Sequence, residues 1–275
     1  MNALHSRRAV LAAGSLLGTA ALAGCTGFTG PSASTRSTES VPRDGASRLV
    51  VENKNGDVVV EPDPDLSEEV VVDVTKRVTG DAGLFGDVAL ETASGGDTLE
   101  VGVVYETVRA RRVSVDLVLA VPPDLAVETA STANGDVEVR DLPGDATVES
   151  ANGDAVARTV DGFVTVRSAN GDAIATGCTG LAGASTANGT VEVEVLSLRG
   201  DVSLSSGNGD VEVGVPSTLD ADLVLSTSNG DVSVRDVEVT VARSTDRRFE
   251  GTLGDGGDTI SASSSNGDVE LYGLD

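Results

Sequence analysis

Thr132-Ala133-Asn134-Gly135-Asp136-Val137-Glu138-Val139 is followed 18 residues later by Ser150-Ala151-Asn152-Gly153-Asp154-Ala155-Val156-Ala157, and after 18 more by Ser168-Ala169-Asn170-Gly171-Asp172-Ala173-Ile174-Ala175. The Asn-Gly-Asp tripeptide also opens at Asn55, Asn208, Asn229 and Asn266, and Asn188-Gly189-Thr190 is an imperfect copy. From Asn134 to Asn229 the steps are 18, 18, 18, 20 and 21 residues. A near-constant period of this size marks a repeat architecture, in which each unit buries its apolar face only by stacking on its neighbours.

Within the repeat, the residues one and three after the Asp are apolar, as in Val137 and Val139, Ala155 and Ala157, Ala173 and Ala175, Val191 and Val193, Val211 and Val213. Those between are often polar: Glu138, Glu192, Glu212, Ser233, Glu270. Period-two alternation predicts a strand with one buried face. Apolar residues four and six before the Asn (Val164 and Val166, Val202 and Leu204, Leu223 and Leu225) predict a second strand leading into the turn. Two residues before the Asn of seven copies stands a hydroxyl: Thr132, Ser150, Ser168, Thr186, Ser206, Thr227, Ser264. Parity points it inward, where a row of hydroxyls bonding turn backbone is the expected use, ahead of a binding role. Gly144, Gly162, Gly180 and Gly200 give a second turn series of similar spacing. Two all-β architectures fit. One is a single-stranded right-handed β-helix, or β-solenoid, of 18–21-residue coils with Asn55, Asn134, Asn152, Asn170, Asn188, Asn208, Asn229 and Asn266 at its corners. The other is an antiparallel meander of Asn-Gly hairpins. Equal contour lengths favour stacked coils.

Outside the repeat, strands are expected at 48–52, 57–61, 69–78, 97–108 and 112–121, and the stretch 235–259, with Arg243, Arg247 and Arg248, is expected to project from the stack. At the N-terminus, Arg7 and Arg8 precede an apolar run from Ala9 to Ala23, which ends in Leu22-Ala23-Gly24-Cys25. Paired arginines before such a run resemble a twin-arginine export signal, and the final tetrapeptide resembles a lipobox. The expectation is that residues 1–24 are a signal peptide, that Cys25 carries lipid, and that residues 25–45, rich in Ser, Thr, Gly and Pro, are a flexible tether to a domain spanning 46–275.

The 275 residues carry 44 acidic and 19 basic side chains, a formal charge of -25. That excludes nucleic acid as a partner. With only Lys54 and Lys76 as lysines, the surface resembles that of salt-loving archaeal proteins. The single histidine, His5, lies in the signal, which excludes a histidine triad or histidine-ligated zinc from the mature chain. No P-loop is present. Cys178, the only other cysteine, is expected to be a small turn or core residue rather than a reactive thiol. Asp136, Asp154 and Asp172 are weak candidates for a calcium-lined edge, against the simpler reading that each Asp caps its turn. Paired carboxylates of a polysaccharide-cleaving β-helix are the weakest reading.

Three features together resemble the putative-adhesin domain family of β-strand repeats: Val113-Ser114-Val115-Asp116-Leu117-Val118-Leu119-Ala120-Val121-Pro122, the Asn-Gly-Asp chain, and the closing Ile260–Leu271 stretch. The resemblance covers about residues 46–275 and implies a right-handed β-helix at the cell surface, with no catalytic residues and no cofactor to carry over. The expected protein is a non-catalytic, lipid-anchored adhesin or envelope scaffold. Its partners are the membrane, through Cys25, and surface glycans or surface-layer proteins. The alternative is an envelope binding or sensing module that acts through a partner protein.

Overall fold

The computed structural model describes residues 32–274. Arg7, Arg8 and Cys25 therefore lie outside the described residues.

The chain is all-β. In order it forms β1 (Ser32–Pro42), β2 (Arg48–Glu52), β3 (Val58–Pro62) and β4 (Glu69–Thr79), then a 3-10 turn at Ala82–Asp87. β5 (Val88–Gly95) and β6 (Thr98–Tyr105) follow, with a second 3-10 turn at Ala110–Arg112 before β7 (Ser114–Val121). The repeats then come as strand pairs: β8 (Ala126–Thr132) with β9 (Val137–Arg140), β10 (Ala146–Asn152) with β11 (Ala155–Arg158), β12 (Phe163–Asn170) with β13 (Ala173–Thr176). Next are β14 (Gly180–Asn188) with β15 (Val191–Glu194), β16 (Val202–Asn208) with β17 (Val211–Val215), and β18 (Ala221–Asn229) with β19 (Val232–Arg235). A hairpin, β20 (Thr240–Thr245) and β21 (Arg248–Leu253), precedes the last pair, β22 (Thr259–Asn266) and β23 (Val269–Gly273).

The two strands of each pair never bond each other. Each enters a different sheet, and the Asn-Gly-Asp turn is the corner between the sheets. One sheet has 11 strands in the order β1-β4-β7-β3-β9-β11-β13-β15-β17-β23-β19; the other has 12, in the order β20-β21-β18-β22-β16-β14-β12-β10-β8-β2-β6-β5. Like strands pair in parallel and in register: Ala155 opposite Ala173, Ser150 opposite Ser168, Asn152 opposite Asn170. The antiparallel-meander alternative is thus not the one adopted by the repeats. Antiparallel pairing is confined to the ends: β1 with β4, β4 with β7, β5 with β6, β21 with β18 and β20. The result is a solenoid-like stack of two open, mixed sheets.

The core lies between the sheets. Val137, Ala155, Ala173 and Val191 form one fully buried column, faced by Val148, Val164 and Val166 from the other sheet. Small alanines stand where β-branched residues oppose them, so these middle coils are filled without aromatic side chains. Cys178 is buried in this core, its thiol directed at the carbonyls of Ala157 and Thr176. Burial pushes its pKa up, which suppresses the thiolate.

Both ends of the stack are interleaved. The last coil in sequence, β22–β23, lies between the β16–β17 and β18–β19 coils. The first, β2–β3, lies between the β6–β7 and β8–β9 coils. Each terminal repeat is therefore paired on both sides rather than left at an end.

Four expectations need correction. Residues 32–42 are not part of a tether: β1 pairs with β4 along its whole length, from Ser32 opposite Thr79 to Pro42 opposite Glu69. Its side chains are mostly exposed apart from Val41, so backbone pairing with the β4 edge holds it, joined by side-chain hydrogen bonds from Arg36, Thr38 and Ser40 to Thr75, Asp73 and Glu69. A composition test asks about burial and cannot detect such a strand. The domain accordingly starts by residue 32 rather than 46. The stretch 235–259 does not simply project; β21 docks antiparallel on β18 and extends that sheet. Finally, β5 was not among the expected strands, and Gly180 opens β14 instead of turning the chain.

Candidate functional site

The groups that the repeat places most regularly are all at the Asn-Gly-Asp corner. The inward hydroxyls are buried, and each donates to the carbonyl of a corner glycine in the adjoining coil. Ser150 reaches Gly135, Ser168 reaches Gly153 and Thr186 reaches Gly171, each at 2.8 Å. Thr132 bonds Gly56 at 2.9 Å; Ser206, Thr227 and Ser264 bond Gly189, Gly267 and Gly209, each at 2.8 Å. In the first repeat the place is held by Asn53, whose Nδ2 bonds Gly56 O and Val115 O. The sequence signal for this rung was its position two before Asn55, masked by the change from hydroxyl to amide.

The asparagines form a second ladder. Asn152 donates from Nδ2 to Asn134 Oδ1 at 3.1 Å, and the series continues through Asn170, Asn188 and Asn208 to Asn266 and then Asn229 at 2.9–3.0 Å. At the end of the row, Asn134 bonds Lys54 O, and Asn55 bonds the carbonyls of Val113 and Arg111.

The aspartates form a third. Asp136 Oδ1 accepts the Asp154 N–H, Asp154 Oδ1 that of Asp172, and Asp172 Oδ1 that of Thr190, at 2.7–2.8 Å. Asp57, Asp210 and Asp268 accept likewise from Asp136, Asp268 and Asp231. The calcium candidates Asp136, Asp154 and Asp172 are therefore turn-capping acceptors. Among the described residues no group of three acidic, His or Cys side chains stands ready to hold a metal.

The glycine between Asn and Asp is fixed by the stacking itself. Gly153 has φ 137°, and a Cβ there would lie 2.1 Å from Gly135 O of the coil below. Only glycine admits both the positive φ and that approach.

Away from the corner, two broad faces remain. The outer face of the 12-stranded sheet carries short hydroxyls, with a shallow open groove lined in part by Ser131, Glu149, Arg167 and Ser185, across which Arg167 pairs with Glu149 at 2.9 Å. The outer face of the 11-stranded sheet is charged. Arg140 pairs with Glu61, and Arg235 with Glu270. Between these pairs lie Glu192, Glu194 and Glu212 around Tyr272, whose phenol pKa is raised by burial and then by these carboxylates. At the second corner, the Arg199 guanidinium lies 4.3 Å from the Phe163 ring centroid and pairs with Asp145 at 2.6 Å.

The Toastrack DUF4097 family matches residues 25–272 of this chain. The chain belongs to that family. The match begins ahead of β1, in keeping with a toastrack domain that includes the strand the composition concealed. No curated protein matches. Solved structures similar over most of the chain include a "putative adhesin" from Bacteroides fragilis NCTC 9343, at 13% identity and TM-score 0.40, covering 87% of this chain and 97% of that one. A "putative cell adhesion protein" from Clostridium sporogenes ATCC 15579 has 7% identity and TM-score 0.38, covering 87% and 99%. A "putative lipid binding protein" from Parabacteroides distasonis ATCC 8503 has 13% identity and TM-score 0.40, covering 86% and 96%.

Proposed function

We propose that this toastrack chain is a non-catalytic surface protein, exported through the Arg7-Arg8 signal, lipid-anchored at Cys25, and acting as an adhesin or envelope scaffold. The observation that carries the reading is where the repeat's polar groups go. The hydroxyl, Asn and Asp rows, which would be the natural lining of a repetitive binding or catalytic edge, are engaged coil to coil. What the fold offers a partner is two wide, shallow faces, which suit a flat macromolecular surface better than a small substrate. In this reading the coils wind right-handed, as strand–crossover–strand units do, the acidic surface is an adaptation to high salt, and the partners are surface glycans or surface-layer proteins. An envelope sensing module acting through a partner protein would use the same faces.

Two measurements test this. Cys25→Ser should release the protein from membranes or leave its signal uncut; a variant processed and membrane-bound as before overturns the anchor. Cells lacking the chain should attach less well to surfaces or lose an envelope assembly that the full chain restores, and Glu192→Gln/Glu212→Gln should weaken that restoration. Unchanged attachment and envelope composition on deletion overturns the adhesin and scaffold role.

A further inference from the structure

The β6–β7 coil has no Asn-Gly-Asp corner. In its place is the loop Glu106-Thr107-Val108-Arg109-Ala110-Arg111-Arg112. Val108 is 81% exposed, the most exposed of the large apolar side chains among the described residues. Arg109, Arg111 and Arg112 are all exposed, and none has a carboxylate partner among the described residues. On a chain of formal charge -25 this is an unusual place to leave three guanidinium groups unpaired.

The loop is built to hold them outward. Ala110 is fully buried and anchors it; the Ala110 N–H donates to Thr107 Oγ1, and that hydroxyl donates to Asp87. The carbonyls of Arg111 and Val113 accept from Asn55 Nδ2. Of the acids nearby, Asp87 is engaged with Thr107, Asp116 pairs with Arg77 and Asp81 accepts the Gly83 N–H; Glu106 remains. Exposed Lys54 stands on the neighbouring turn.

The same corner is where the described chain begins. Ser32 lies opposite Thr79, and β4 continues the register to Ser114 opposite Arg77. Because β1 belongs to the sheet, only residues 26–31 separate it from Cys25, and seven fully extended residues reach at most about 25 Å. The far end of the 11-stranded sheet lies about 50 Å away at ordinary strand spacing.

We propose that this corner rests on the headgroup layer of an anionic bilayer, Arg109, Arg111 and Arg112 on lipid phosphates and Val108 among the headgroups. The inference rests on the anchor at Cys25, which supplies the high local concentration that lets weak contacts hold. Paired guanidinium–phosphate contacts act at hydrogen-bond range, so they survive salt that screens longer-range attraction. The stack then stands with its β19–β20 end outermost.

The test uses the full chain on phosphatidylglycerol-containing vesicles, in molar salt. One nitroxide is placed at Val108→Cys and, in a second variant, at Val241→Cys, which is 56% exposed at the opposite end. The label at 108 should be shielded from a water-soluble nickel chelate and open to oxygen, and the label at 241 the reverse. Changing Arg109, Arg111 and Arg112 to Ser should abolish the shielding while the protein stays on the vesicles. Equal chelate access at 108 and 241 overturns the proposal and leaves the anchor standing. Shielding at 108 in native membranes but not in protein-free vesicles overturns it too, assigning the corner to an acidic surface partner. Should the full chain not be membrane-bound at all, the anchor falls. The corner, whose weak contacts hold only with that anchor, falls with it, whereas a chain that stays bound with equal access at 108 and 241 fails at the corner alone.

Discussion

At the residue scale, one short motif does three jobs that coincide in space. Asn bonds Asn, Asp caps the next coil's backbone, and the inward hydroxyl satisfies the glycine carbonyl between them. The hydroxyl is the most exposed to test. Ser168→Ala removes the donor to Gly153 O in a buried place, and should cost about 1–2 kcal/mol by thermal melting, whereas Ser168→Thr, matching Thr132, Thr186 and Thr227, should cost much less. Equal melting points for the Ala variant and the parent would mean that water replaces the bond. At the second corner, Asp141, Thr159 and Asp236 share a left-handed backbone, with Thr159 at φ 52°, and Gly177 takes the corresponding place in the next coil. A β-branched residue is strained there, and Thr159 is exposed with no side-chain hydrogen bond to lose. Thr159→Asn should stabilise by about 1 kcal/mol; a lower melting point would show an unrecognised role for its methyl or hydroxyl.

At the element scale, the narrow middle coils are set by alanine. Ala155 and Ala173 face each other in register at the centre of the stack, both fully buried. Ala173→Phe should destabilise by about 1–3 kcal/mol through overpacking. Glu138→Phe, on the half-exposed outer face, should cost far less, losing only the long pairings to Arg140 and Arg158 at 3.8 and 3.9 Å. Comparable losses from the two variants would contradict the inward assignment. The interleaved last coil makes a separate prediction. Deleting residues 259–275 takes out the coil between β16–β17 and β18–β19, so residues 221–253 should lose amide-exchange protection together while residues 126–195 keep theirs. Protection retained across 221–253 would mean that β18 closes directly onto β16.

At the scale of the whole molecule, stability is a contest between a continuous apolar core and self-repulsion. The formal charge is -25, and many of its carboxylates are stacked one strand apart along the corner. Each stacked pair accepts a backbone N–H, which offsets part of the repulsion, but the sum still favours expansion when salt is low. Melting temperature should fall as salt is reduced from molar to about 0.1 M, where screening lengthens to roughly 10 Å. A salt-independent melt would remove the high-salt reading. Against that charge, Arg109, Arg111 and Arg112 gather three unpaired guanidinium groups at one corner, while the hairpin at the other end exposes Arg243 and Arg247.

The sequence by itself determined the coil. Local steric and hydrogen-bonding demands repeat at each turn, so Asn-Gly-Asp, the alternating valines and alanines, and the hydroxyl two residues before all but the first Asn can be read one repeat at a time. It also determined which side of each strand is buried, since alternation leaves only one apolar face. Tertiary structure alone decided the order of the coils. Every repeat presents nearly the same edge, so β22–β23 pairs as well beside β17 as beside β19, and local pattern cannot say that the chain returns to fill a gap it left. It likewise decided β1, a strand held by backbone bonds to β4 with little side-chain burial. And it decided that Ser32, Arg109, Arg111, Arg112 and Lys54, dispersed over 80 residues of sequence, share one corner. Periodicity records what each residue needs from its immediate neighbours; which edges finally meet is set by long-range pairing, whose energy is spread over backbone groups that every residue possesses.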